Sequence, residues 1–323
     1  MTPAGLSPAV GNVLDQAPSD AAEGLLAYAK ANYRDFDALA AERLNLLGGL
    51  TWSYHDQRWL NVVDYALVLD VFLDTLGYWE EDKHNLELAL EAAENLDPGY
   101  ENREALLLHD VAVIYMAQGD YQRARTYFER GLALQRQLDD RLAVARTLHY
   151  IGRIHAAEVA DDRARQFYEE SLALEKEVGD DRGMEVTLHE LGNFYLGQGD
   201  YSRAEDYYER SLALSQELGI ARDTATTLHQ LGILNHRQGD LDRAQGYFEE
   251  ALRMRQEIAH QEGIAESLLT LGQLANERGD RKQAERLWRE SLSIFERLGI
   301  PEADTVRARL STLTEPWRRD QNK

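Results

Sequence analysis

Residues 187–214 read TLHELGNFYLGQGDYSRAEDYYERSLAL, and near-copies stand 40 residues to either side: TLHYIGRIHAAEVADDRARQFYEESLAL from Thr147 and TLHQLGILNHRQGDLDRAQGYFEEALRM from Thr227. A period of that size is the signature of stacked supersecondary units. Leu188, Leu191, Gly192 and Tyr195 recur at i, i+3, i+4 and i+7, one stripe of a helix. Gly199-Asp200 then breaks the chain. Glycine accepts the left-handed backbone that closes a first helix, and aspartate is a good N-cap for a second. Ala204, Tyr208, Ser211 and Leu212 form the apolar stripe of that second helix. The small residues at 192, 204 and 211 predict close approach of two antiparallel helices, with Tyr208 filling the space between successive repeats. Neither helix buries its stripe alone, so repeats must stack.

The same columns run outward in both directions. Val111, Ile151, Leu191, Leu231 and Leu271 share one, followed by Ala112, Gly152, Gly192, Gly232 and Gly272. Alanine recurs at 124, 164, 204, 244 and 284, an aromatic at 128, 168, 208, 248 and 288, and a small residue then leucine from 131, 171, 211, 251 and 291. Five repeats therefore occupy 100–299. The second lacks the Gly-Asp break and reads Val159-Ala160 there. No proline lies between Pro98 and Pro301, as uninterrupted helices require. Residues 300–315 are expected to form a capping helix with Val306, Leu310 and Leu313 inward, and 316–323 a frayed tail. Residues 1–20 read as a disordered leader and 21–99 as a helical extension. Within it, 77–96 (GYWEEDKHNLELALEAAENL) matches the second half of a repeat at an offset of 42 from the Gly119 repeat, with Asp82 where alanine stands elsewhere. The packing around Asp82 must therefore differ.

The formal charge of −22 disfavours nucleic acid and anionic lipid as partners. It is uneven: 1–99 carry 5 basic and 17 acidic side chains, whereas 278–323 carry 11 and 8. The absence of cysteine excludes disulfides, thiolate metal sites and cysteine nucleophiles. No phosphate loop, nucleophile elbow or HExxH occurs, so no enzyme and no cofactor are expected. No apolar run is long enough to span a membrane and no secretory signal opens the chain, which makes the cytoplasm the expected compartment.

These columns resemble the tetratricopeptide repeat, in the 40-residue form seen in kinesin light chains, Pins-type polarity adaptors and bacterial sensor proteins. The resemblance implies an all-α, right-handed superhelical solenoid of antiparallel helix pairs whose first helices line a concave, protein-binding groove. Glu42, Asn45, Leu46, Leu50, Trp52 and Gly77-Tyr78-Trp79 are similar to the segment that joins the ATPase modules to the sensor arm in bacterial STAND regulators. This implies a sensor arm for signalling or defence. It either stands alone or works with an NTPase module in cis or in trans.

His109, His149, His189 and His229 share one column, with Leu269 in the fifth repeat. By the resemblance the column faces the groove, where related adaptors carry an asparagine that binds ligand backbone. Two readings stand open: imidazoles stacked on the next repeat, or ligand contacts that titrate near physiological pH. A shared metal is disfavoured, because packed helix axes lie about 8–10 Å apart and zinc ligands must come within about 2.1 Å of the ion. Arg146, His149 and Arg153 fall at i, i+3 and i+7 and make a basic spot suited to carboxylates, such as acidic side chains or a peptide C-terminus. Asn193 is placed to pair with a peptide amide. Gln273 follows on the same wall, and His236, Arg237 and Asn276 fall one turn further. Arg123, Arg203 and Arg243, each three residues after an aspartate, read as surface pairs. The expected function is peptide or protein binding. The alternatives are a self-associating scaffold, using the opposed end charges or exposed Trp52, Trp59 and Tyr78, and an adaptor bound through its convex face.

Overall fold

The computed structural model describes residues 18–158 and 162–314, and all regular structure among them is α-helical. They form two compact bodies divided after Glu158. The division falls inside the second repeat, at Val159-Ala160, where the missing Gly-Asp break lies outside the described residues.

The first body runs α1 (Pro18–Ala31), α2 (Phe36–His55), α3 (Trp59–Thr75), α4 (Trp79–Ala93), α5 (Glu101–Ala117), α6 (Tyr121–Gln137) and α7 (Arg141–Glu158). Helices α3/α4 and α5/α6 are antiparallel pairs, α7 stacks on α6, and α1 packs on both α2 and α3. Helix α1 starts at Pro18, inside the stretch expected to be leader; proline suits a first helical turn. Its anchor is Ala22, whose carbonyl accepts the hydroxyl of buried Tyr65. The core continues through Leu46, Leu50, Leu69, Phe72 and Leu86 to Leu108 and Phe128.

The second body runs α8 (Asp162–Val178), α9 (Asp181–Gln198), α10 (Tyr201–Glu217), α11 (Ala221–Gln238), α12 (Leu241–Glu257), α13 (Gln261–Glu277), α14 (Arg281–Leu298) and α15 (Glu302–Thr314). Helices α9/α10, α11/α12 and α13/α14 are the third to fifth repeats. Helix α15 closes the core with Ala303 and Val306, and Leu310 and Leu313 pack partly buried beside them. The tail beyond Thr314 lies outside the described residues.

The punctuation works as the sequence requires. Gly199 closes α9 at φ 75, and the Asp200 side chain accepts the Arg203 amide at 3.2 Å. The arginine column is therefore tied to the cap aspartates first through its backbone. Side-chain pairs add to this at Asp120–Arg123 (3.5 Å) and Asp200–Arg203 (3.4 Å), whereas Arg243 turns to Glu205 at 3.1 Å.

The small columns have a more specific cause than helix approach alone. A Cβ added at Gly192 would lie 2.5 Å from the Tyr208 ring, and one at Gly232 2.5 Å from Phe248. The aromatic of the second helix thus lies flat on the glycine of its own repeat, rather than simply between repeats. A further buried column stands at 135, 175, 215, 255 and 295, occupied by Gln, Glu, Ser, Arg and Phe. Glu175 accepts hydroxyls of Ser171 (3.0 Å) and Thr187 (2.9 Å), Ser215 accepts that of Thr224 (3.1 Å), and Arg255 donates to the Gly263 carbonyl (2.8 Å) and Ser267 (2.9 Å).

Candidate functional site

The histidine column is built by the aromatic column beneath it. His109 packs edge-on against Phe128 (5.4 Å) and Tyr150 (5.1 Å), and its Nδ1 lies 3.4 Å from Thr147 Oγ1. In the second body His189 tilts over Tyr208 at 5.6 Å, with Nδ1 3.0 Å from Thr227 Oγ1. His229 repeats the ring contact on Phe248 at 5.1 Å, but Arg255 occupies Ser267 and leaves the buried Nδ1 without a hydrogen-bond partner. Leu269 fills the column in the fifth repeat and packs partly buried against the last core cluster.

Burial and the Arg146 charge push the His109 pKa down to about 4; burial and Arg255 do the same to His229. Burial also lowers His189, against opposing pulls from Glu190 and Asp223. Desolvation disfavours the imidazolium, so His109 and His229 are neutral at neutral pH and do not titrate in the physiological range, and His189 is shifted in the same direction. That departs from the expectation for a free imidazole.

On α7 the basic spot divides by exposure. Arg146 and Arg153 are exposed and His149 between them is buried, 7 % accessible and edge-on to Tyr150 at 5.7 Å. The Arg153 guanidinium lies over the Tyr150 ring at 5.6 Å.

The other candidates on the second body are tied to neighbours. Asn193 donates to Glu190 at 3.2 Å and accepts the Tyr208 hydroxyl at 2.7 Å. His236 meets Glu277 at 2.5 Å, Gln273 donates to the same carboxylate at 3.0 Å, and Arg237 donates to the Leu196 carbonyl at 3.2 Å. Asn276 is exposed. Sequence reasoning missed the carboxylates Glu190 and Glu277. Each sits next to or one turn from a named residue, so i, i+3 and i, i+4 spacing carried the signal.

The tryptophans differ from expectation. Trp52, Trp59 and Tyr78 are half-buried, covered by Arg58 (5.6 Å), Tyr54 (5.7 Å) and Arg43 (4.0 Å) respectively. Trp79 is the exposed one, at 62 %.

A profile of the tetratricopeptide repeat matches residues 103–177, 183–257 and 223–297, more than half of the chain. The chain belongs to the tetratricopeptide repeat family. Comparison with curated proteins finds no match. Among solved structures, the chain is similar to the apo form of the quorum sensor NprR from B. thuringiensis, at 16 % identity over 90 % of this chain and 87 % of that one, TM-score 0.63. A Rap protein complexed with Competence and Sporulation Factor aligns at 15 % identity over 92 % and 98 %, TM-score 0.59. The STAND protein PH0952 from Pyrococcus horikoshii, which has a tetratricopeptide repeat sensor, aligns at 14 % identity over 96 % of this chain and 50 % of that one, TM-score 0.59. At these identities the likeness is one of fold. Among the described residues no helix is long and apolar enough to cross a membrane.

Proposed function

We propose that this tetratricopeptide protein is a non-enzymatic module that binds a peptide or protein segment along the face of its first helices, as the sensor part of a signalling or defence regulator. The observation that carries the reading is the surface of α7. Two exposed guanidiniums flank a buried imidazole, one of them over the Tyr150 ring, in a chain of net charge −22. Guanidinium forks favour carboxylates, so an acidic segment or a free C-terminus is the partner this spot would select. On the same body the neutral His109 ring packs against the same Tyr150. Fold likeness to a quorum sensor and to a repeat protein captured with its factor supports the reading.

The test starts from partners captured from host lysate and identified. Labelled synthetic segments of them are then titrated by anisotropy against wild type and the Arg146→Ala/Arg153→Ala variant. The expected result is binding at least tenfold weaker in the variant with unchanged helicity. Equal affinity would sink the assignment.

Self-association has an observation of its own: Trp79, Val71 (61 % exposed) and Leu44 (54 %) leave apolar surface on the first body. Light scattering across a salt series separates the modes. An oligomer held by opposed charges dissociates as salt rises, an apolar one persists, and a monomeric receptor stays unchanged.

A further inference from the structure

The α3/α4 pair carries the frame of a repeat with its two tightest positions changed. Gly77 and Gly119 turn at φ 77 and 78, which confirms the offset of 42. On that offset Asp70 stands where the other repeats carry Ala112 or glycine, and Asp82 stands in the alanine column. Leu86 replaces the aromatic ring that would otherwise fill the space between them. Asp74 lies one turn beyond Asp70 on α3, and Asp110 lies on α5, which packs against α4.

The Asp82 side chain is 2 % exposed and its Oδ1 has no hydrogen-bond partner. Its pKa is raised to about 8 by burial and then by the charges of Asp70, Asp74 and Asp110. Burial and Asp70 likewise raise Asp110 to about 8, and burial and Asp74 raise Asp70 to about 6. Among the described residues none of the four makes an ion pair. The neighbouring cations are committed elsewhere: Lys30 and Arg103 to Asp64, Arg43 to Glu81, and Lys83 to Gln118 and the Tyr115 ring. His109, beside Asp110, is neutral. Asp74 is exposed and Asp70 and Asp110 are half-buried, so the cluster has an open mouth over a buried floor.

We propose that Asp70, Asp74, Asp82 and Asp110 form a binding site for an organic cation, the guanidinium or ammonium of a basic side chain on a peptide ligand. Four carboxyls gathered with no counter-charge repel one another, and a bidentate cation at the mouth relieves that repulsion. The peptide as source rests on the reading of the chain as a peptide binder; a free polyamine offers the same ammonium chemistry. The site lies on α3, α4 and α5 of the first body, whereas the Arg146/Arg153 spot lies on α7 of the same body and selects the opposite charge. A ligand reaching both carries a basic and an acidic end.

The probe is a pentapeptide with blocked termini and two arginines, titrated against full-length protein whose aspartate carboxyls are 13C-labelled. Its citrulline counterpart and spermidine serve as parallel probes. The arginine peptide is expected to bind at least tenfold more tightly at pH 8.5 than at pH 6, because binding requires ionised carboxyls, and to lower the Asp82 and Asp110 midpoints by at least one pH unit. Binding should fall at least tenfold in Asp70→Ala/Asp82→Ala, which restores residues that other repeats carry. It should fall likewise in Asp74→Asn/Asp110→Asn, which alters the mouth. Spermidine binding without the peptide would support the cation site and assign its ligand to polyamines. Equal binding of arginine and citrulline peptides, no binding by either cation, or full binding by both variants would overturn the proposal. Those outcomes leave the Arg146/Arg153 reading intact, because its acidic ligand and its own variant are assayed separately.

Discussion

Asp82→Ala is expected to change the sign of its effect on stability with pH. The Asp82 carboxyl has a folded pKa of about 8 against about 3.9 unfolded. Between those values the folded state holds the extra proton, so wild-type stability falls as pH rises through that window and levels off above 8. One pKa unit is worth about 1.4 kcal/mol, which would give ~5–6 kcal/mol for an isolated group. Water at the mouth by Asp74 and sharing of protons among four carboxyls reduce this to ~2–3 kcal/mol. Alanine loses the packing of the acid group, a cost of about 1 kcal/mol. The variant should therefore be about 1 kcal/mol less stable than wild type at pH 4, where little of the charge penalty has accrued, about equal to it near pH 5.5, and ~1–2 kcal/mol more stable at pH 9. At about 2–4 °C per kcal/mol for a unit of this size, the melting temperature falls by ~3 °C at pH 4 and rises by ~3–6 °C at pH 9. Thermal unfolding followed by circular dichroism at both pH values checks this. A destabilisation of equal size at both would show that Asp82 is uncharged or counter-balanced throughout, and the electrostatic reasoning would fail.

Two further substitutions test the framework. Ala259 holds φ 54 at a turn where Gly179, Gly219 and Gly299 stand in other repeats. Relief of left-handed strain outweighs the added entropy of the unfolded chain, so Ala259→Gly should stabilise by ~0.5–1 kcal/mol in urea denaturation. His229→Leu removes a buried nitrogen that lacks a partner and borrows the residue used at 269. It should hold or raise stability by up to about 1 kcal/mol, and the melting curve should lose no cooperativity.

The fold was legible because stacking imposes columns that a single sequence repeats five times. Gly192, Ala204 and Tyr208 could be read as a packed set without coordinates. That the Tyr208 ring lies on Gly192 of its own repeat could not, because spacing gives a face and not a partner. The histidines show a similar limit. Their position was predictable from the column, but their lowered pKa follows from burial on Phe128, Tyr208 and Phe248, together with the reach of Arg146 to His109 and of Arg255 to His229. Asp82 was visible as a violation of the alanine column. Asp70, Asp74 and Asp110 were invisible as its companions, since they gather only once α3, α4 and α5 pack. The half-buried state of Trp52, Trp59 and Tyr78 depends on cations brought over their rings from Arg58 and Arg43 or on a neighbouring aromatic, contacts that composition does not encode.

Repeats this alike carry a hazard during folding, since α10 and α12 present nearly the same apolar stripe to whatever follows. The buried column at 135, 175, 215, 255 and 295 removes the ambiguity. Ser215 facing α13 would leave a hollow where the Arg255 guanidinium belongs. Arg255 facing α11 would need room that a serine-sized junction does not have, and its charge would lose the Gly263 carbonyl that receives it. Each junction thus carries an address that its neighbours cannot answer, and the order of the array is written into its interior as well as into the chain.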